Sequence, residues 1–112
     1  MSDSRIEALR NMIEKDPKDA LARFMLANEL YEAGDHEATV KELEAYLKLK
    51  EDEGAAYRKL GDALVQLGRK KEARWAFRQG AEAARAHNHF AMADELEEKL
   101  QEVTPKGLRT PK

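Results

Sequence analysis

Apolar residues fall three or four apart along most of this chain, and turn-forming residues interrupt the stripes they make at regular intervals. Ile6, Leu9 and Ile13 form a first stripe, which ends at Asp16-Pro17. Ala22, Leu26, Ala27, Leu30 and Ala33 form a second, which ends at Gly34-Asp35, and Val40, Leu43 and Leu47 resume the spacing after that break. A further stretch begins near residue 53, turns at Gly68 and runs to about His87. In the last one, Ala93, Leu96, Leu100 and Val103 keep the same period. The spacing predicts six helices. At Gly34-Asp35, glycine supplies the positive φ that ends one helix and the aspartate side chain caps the next. The opening helix is expected over residues 4–15, with Ser4-x-x-Glu7 as a capping box. Gly80-Ala81-x-Ala83-Ala84 carries little side-chain bulk, so the helix from Phe90 to Val103 is expected to pack closely there.

Two of these stretches match at an offset of 34 residues. The first reads Arg23-x-x-Leu26-Ala27-x-x-Leu30, then Gly34-Asp35, then Thr39-x-x-x-Leu43. The second reads Tyr57-x-x-Leu60-Gly61-x-x-Leu64, then Gly68, then Ala73-x-x-x-Phe77. This pattern resembles the tetratricopeptide repeat, whose signature runs aromatic-x-x-Leu-Gly-x-x-Tyr, Ala-x-x-x-Phe, then Pro. The second copy is the better match, and the first is recognised mainly by its register. Asp16-Pro17 falls where the signature places its proline, so the opening helix reads as the second half of an incomplete leading repeat. The resemblance implies an all-α fold over residues 1–103, an α-solenoid of antiparallel helix hairpins. Its parts are a half-repeat, two repeats and a C-terminal capping helix that covers the last apolar face. Residues 104–112, starting at Thr104-Pro105, are expected to form a disordered basic tail. The function implied is a binding scaffold.

With 112 residues the chain has the size of one domain, and its apolar content is mostly Ala and Leu, which favours helix over strand. Cysteine is absent, which removes disulfides and thiolate metal sites. No apolar run is long enough to span a membrane, and the first residues do not lead into a signal-peptide core, so a cytoplasmic location without membrane partners is expected. Charge is uneven. Residues 1–53 carry 8 basic against 14 acidic side chains, and residues 54–89 carry 8 against 3. Such a dipole could steer an ionic partner or favour head-to-tail contact, but two solvated helix faces are the favoured reading. Arg69, Lys70 and Lys71 cluster at a helix start with no aromatics interleaved, so no nucleic-acid partner is expected.

Candidate chemistry is sparse. His87-x-His89 with Asp94 nearby has ligand types for a metal, but histidines flanking Asn88 in a helix connection read as a solvated turn, and His36 is remote in sequence. Serine occurs only at positions 2 and 4, which leaves no nucleophile for hydrolysis. Neither a metal, a cofactor nor an enzymatic activity is expected.

The stronger signal is a second face on the helix over residues 20–33. Leu21, Phe24, Asn28 and Tyr31 lie off its core stripe at i, i+3, i+7 and i+10. By the resemblance, first helices of successive repeats line a concave groove for peptides, and the matching face of the second repeat is Ala55, Arg58, Asp62 and Val65, continued by Gln66. The groove candidates are therefore Leu21, Phe24, Asn28, Tyr31, Arg58, Asp62, Val65 and Gln66. They offer apolar anchors, amide hydrogen bonding and a charge pair for orientation. Leu21 and Phe24 could instead be covered by a neighbouring helix. Chaperone-binding members of the family grip a C-terminal carboxylate with Lys, Arg and Asn. Asn28 and Arg58 suit that grip, whereas Phe24 and Asp62 do not, and Asp62 would repel the carboxylate. Trp75 shares a helix face with Arg78, Gln79 and Glu82, which suggests a contact outside the monomer; stacking by Arg74 or Arg78 would also account for it. The leading expectation is a protein- or peptide-binding adaptor, and the alternative is a homo-oligomer built through Trp75, the charge dipole or the groove.

Overall fold

The computed structural model describes residues 2–109. Among them the chain forms α1 (Ser2–Lys15), α2 (Ala20–Glu32), α3 (His36–Leu49), α4 (Ala55–Gln66), α5 (Lys70–Ala86) and α6 (Phe90–Glu102), followed by a 3-10 turn (Lys106–Leu108). No strand occurs among the described residues. Two compact units divide the chain between Glu51 and Asp52, so that α1 to α3 belong to the first and α4 to α6 to the second.

In the first unit the apolar stripes meet as the spacing predicts. Ile6 and Leu9 of α1 cluster with Ala22, Leu26 and Leu30 of α2, and Ile13, Met25 and Ala38 pack around them. The α2–α3 reversal falls at Gly34, whose φ of 83° is open to glycine and strained for other residues. Asp35 then caps α3, its carboxylate accepting from the Ala38 N–H at 3.1 Å. Asp19 does the same for α2, accepting from Ala22 N–H at 3.0 Å. Asp35→Ala is expected to lower stability by about 1 kcal/mol, most of it recovered by Asp35→Asn, as read from thermal unfolding.

Two departures from the repeat signature acquire physical reasons here. Arg23 stands where an aromatic is usual, and it bridges instead of packing. Its Nη1 donates to Glu42 Oε1 at 2.9 Å and its Nε to the Pro17 carbonyl at 3.1 Å. Thr39, at a position that favours Ala, is fully buried, and its hydroxyl donates to the Asp35 carbonyl at 2.8 Å. One expectation fails. Helix α1 is already under way at Ser2, so Ser4 lies inside its first turn and does not stand ahead of the free N–H groups that a capping box would satisfy.

The second unit is built on small residues. Helix α5 buries Ala73, Ala76, Phe77, Gly80, Ala81 and Ala84, against Ala56, Leu60, Gly61, Ala63 and Leu64 of α4 and against Ala93 and Leu96 of α6. A β-carbon on Gly80 would stand 2.8 Å from Tyr57 Cβ and 3.2 Å from Leu96 Cδ1, so the bare backbone at that site is what lets α4 and α6 approach α5 closely. The α4–α5 reversal uses Gly68 with φ 75°, the counterpart of Gly34. Asp52, nearly buried, starts α4 by accepting from the N–H groups of Gly54 (2.8 Å) and Ala56 (2.9 Å). Past α6, part of the segment expected to be disordered folds back: the Arg109 Nε donates to the Thr104 carbonyl at 2.9 Å. Residues 110–112 of that expected tail lie outside the described residues.

Candidate functional site

The face read on α2 exists, with graded exposure. Leu21 is 68% exposed, while Phe24, Asn28 and Tyr31 are half-buried. Phe24 owes its partial cover to Tyr46 of α3, whose ring centroid lies 5.2 Å away. Tyr31 meets the His36 ring edge-on at 5.1 Å. The Asn28 side-chain amide makes no hydrogen bond among the described residues. It sits in the middle of the face, with two donors and a carbonyl in one plane, which is the inventory that pairs with an extended peptide backbone. Phe24 and Tyr31 are thereby fixed in place by their own unit while part of each ring stays on the surface.

On α4, Arg58 and Asp62 do not form a pair with one another. Arg58 Nη1 donates to Glu95 Oε1 at 3.0 Å, and Asp62 Oδ1 accepts from Lys99 Nζ at 3.0 Å. Both partners lie on α6, one turn apart, so the two helices are tied by a two-rung ladder of opposite polarity. The ammonium of Lys99 is also 5.9 Å from the centre of the Phe77 ring, a distance at which the ring face attracts it. Half-exposed ion pairs of this kind contribute about 0–1 kcal/mol each, so the ladder orients α6 more than it stabilises it. Val65 is half-buried and Gln66 exposed at the end of the same face. Glu95 and Lys99 of α6, which the sequence did not single out, are the partners of this face. Their position four apart on α6, at the same spacing as Arg58 and Asp62 and with reversed charge, is the signal that could have found them.

Trp75 is 50% exposed, and its ring meets Tyr57 of α4 edge-on at 6.1 Å. Arg74 is directed elsewhere, its Nη1 donating to the Val103 carbonyl at 2.9 Å. His87 and His89 have ordinary surface partners, whereas the Nδ1 of His36 is buried without a hydrogen bond among the described residues. His89 Nε2 lies 2.6 Å from Glu53 Oε1, His87 Nδ1 donates to the Ala83 carbonyl at 2.9 Å, and the two rings stack at 6.5 Å. Asp94 goes to Arg85, at 3.6 Å. Among the described residues no group of three or more His, Asp or Glu side chains is placed to hold a metal ion, and no helix is long and apolar enough to cross a membrane.

A shallow cavity of about 330 Å³ lies between Pro17, Arg23 and the Lys41, Ala45 and Lys48 side of α3. Its one α2 side chain, Arg23, is already committed to Glu42 and Pro17, and Glu44 at the rim offsets the lysines.

The family model described as Tetratricopeptide repeat matches residues 1–87, which takes in α1 to α5. No curated protein matches the chain.

Proposed function

Because the chain belongs to the tetratricopeptide repeat family, whose domains generally mediate protein–protein interaction, we propose that it is a non-catalytic adaptor that takes a peptide segment of a partner protein on the outer face of α2. The observation that carries this reading is the unpartnered Asn28 amide set between exposed Leu21 and the half-buried rings of Phe24 and Tyr31. An apolar anchor on each side of a backbone-pairing amide fits an extended chain with hydrophobic residues at alternate positions. The α4 face is less available, since its two charges are neutralised from α6. With Arg58 held by Glu95, a carboxylate grip of the chaperone-tail kind is disfavoured further. The location we assign is cytoplasmic.

Peptides selected from a randomised library should depend on this face. Tyr31→Ala is expected to weaken a selected peptide by about tenfold or more, and Leu21→Glu and Asn28→Ala to weaken it comparably, by the usual weight of an aromatic or buried amide at a contact. Leu21→Glu should leave thermal unfolding nearly unchanged, because a 68%-exposed side chain contributes little to the core. Titration of each variant with the labelled peptide measures this. Undiminished affinity in all three would remove α2 from the binding surface.

A further inference from the structure

The outer face of α5 presents a second arrangement that the adaptor reading does not use. Lys71, Trp75, Arg78 and Glu82 recur at i, i+4, i+7 and i+11, so they form one stripe along the helix, and all four are exposed. The stripe has an unusual charge balance. Lys70, Lys71 and Arg78 make no ion pair among the described residues. The acid next to Lys71 in sequence, Glu72, is already closed off by Arg69, whose Nε and Nη2 reach its two carboxylate oxygens at 2.8 and 2.7 Å. That bond with Arg69 holds the Glu72 carboxyl below its ordinary range. Trp75 therefore stands half-exposed between two uncommitted cations that are seven residues, or roughly 10 Å, apart along the axis. Its ring is braced from behind by Tyr57, which limits the side-chain entropy that docking would cost.

We propose that this stripe is a docking surface for an acidic helical peptide of another protein, one that carries two carboxylates a heptad apart with an apolar residue between them. The apolar residue covers the Trp75 ring, and the carboxylates reach Lys71 and Arg78. Glu82, at the far end of the stripe, repels a third acid and so sets the direction in which the peptide lies. The same glutamate, on the line that a phosphate backbone would follow, disfavours an extended polyanion. The surface belongs to α5 of the second unit, whereas Leu21 and Tyr31 belong to α2 of the first, so Leu21→Glu and Tyr31→Ala change none of its residues.

Trp75 is the sole tryptophan of the chain, so its emission reports the contact directly. The probe is a synthetic helical peptide of about 15 residues, long enough to be partly helical, with Glu at two positions a heptad apart and Leu between them. The control has Lys at those two positions. With the acidic peptide, the emission should move to shorter wavelength and saturate. The control should produce no shift. Lys71→Glu with Arg78→Glu should weaken binding by roughly tenfold, and added salt should weaken it in the wild type, as expected for rim charges. Both substitutions are at exposed positions, and thermal unfolding of the double variant verifies that it folds. The proposal fails if the acidic peptide leaves the emission unchanged, if both peptides shift it alike, or if the charge reversals leave the affinity unchanged. A shift produced by raising the protein concentration alone would assign the surface to a second copy of this chain. Tighter binding of a single-stranded oligonucleotide than of the acidic peptide would assign it to nucleic acid. Either result overturns the proposal.

Discussion

Phe77→Ala is expected to destabilise the second unit by about 3–5 kcal/mol, the largest single-residue loss in the protein. Phe77 is 2% exposed and the largest fully buried side chain among the described residues. Its ring fills the space left by the missing side chain of Gly61 on α4, where any β-carbon would overlap the ring. The ring also lies beneath the Lys99 ammonium, so its removal loosens one end of the ladder between α4 and α6. Truncation therefore leaves a cavity against a glycine backbone that has nothing with which to fill it. The reciprocal change, Gly61→Ala, is expected to cost about 1–3 kcal/mol through overpacking. That outcome would override the roughly 1 kcal/mol that alanine ordinarily gains over glycine in a helix. Urea unfolding of the two variants checks both signs, and a stabilised Gly61→Ala would show that Phe77 is not seated against α4.

Leu96→Ala is expected to cost about 2–5 kcal/mol. Leu96 is fully buried although α6 lies beyond the residues matched by the family model. It packs where Gly80 leaves α5 without a side chain, and Ala93, three residues earlier on α6, is also fully buried. If α6 were only a solvating cover, truncating one leucine would cost far less than a core substitution. Unfolding by denaturant, with hydrogen exchange of the α5 amides as the local readout, distinguishes the two. Loss of protection across α5 is the expected result.

The helices and their breaks were legible in the sequence because they depend on neighbours three to four residues away. The stripe Leu26, Leu30 and the stripe Leu60, Leu64 are buried as their period required, and Gly34 and Gly68 turn where the repeat register placed them. The packing of α6 on α5 was also legible, since the absence of side-chain bulk at Gly80, Ala81 and Ala84 is a property of the sequence itself. The α1 start was misread. A Ser-x-x-Glu pattern is informative only if the chain ahead of it is non-helical, and here it is helical from Ser2.

Local periodicity could place a side chain on a face, but it could not say what stands opposite. Phe24 and Tyr31 lie off the buried stripe of α2, yet how far each ring is covered depends on Tyr46 and His36 of α3. Arg58 and Asp62 shared a face as their spacing demanded, while their partners Glu95 and Lys99 lie 37 residues along the chain in each case. Trp75 was recognisable as a large ring on a polar face, but its neighbour proved to be Tyr57 and not an arginine. The sequence alone thus determined the helices, their order and most of the residues each turns inward, because backbone hydrogen bonding and apolar period act over one turn; Ala33, placed on the inward stripe, is the exposed C-cap of α2. Only the tertiary structure decided which polar and aromatic side chains are spent on one another and which remain for a partner, because ion pairs and ring contacts form between residues whose separation is set by helix docking.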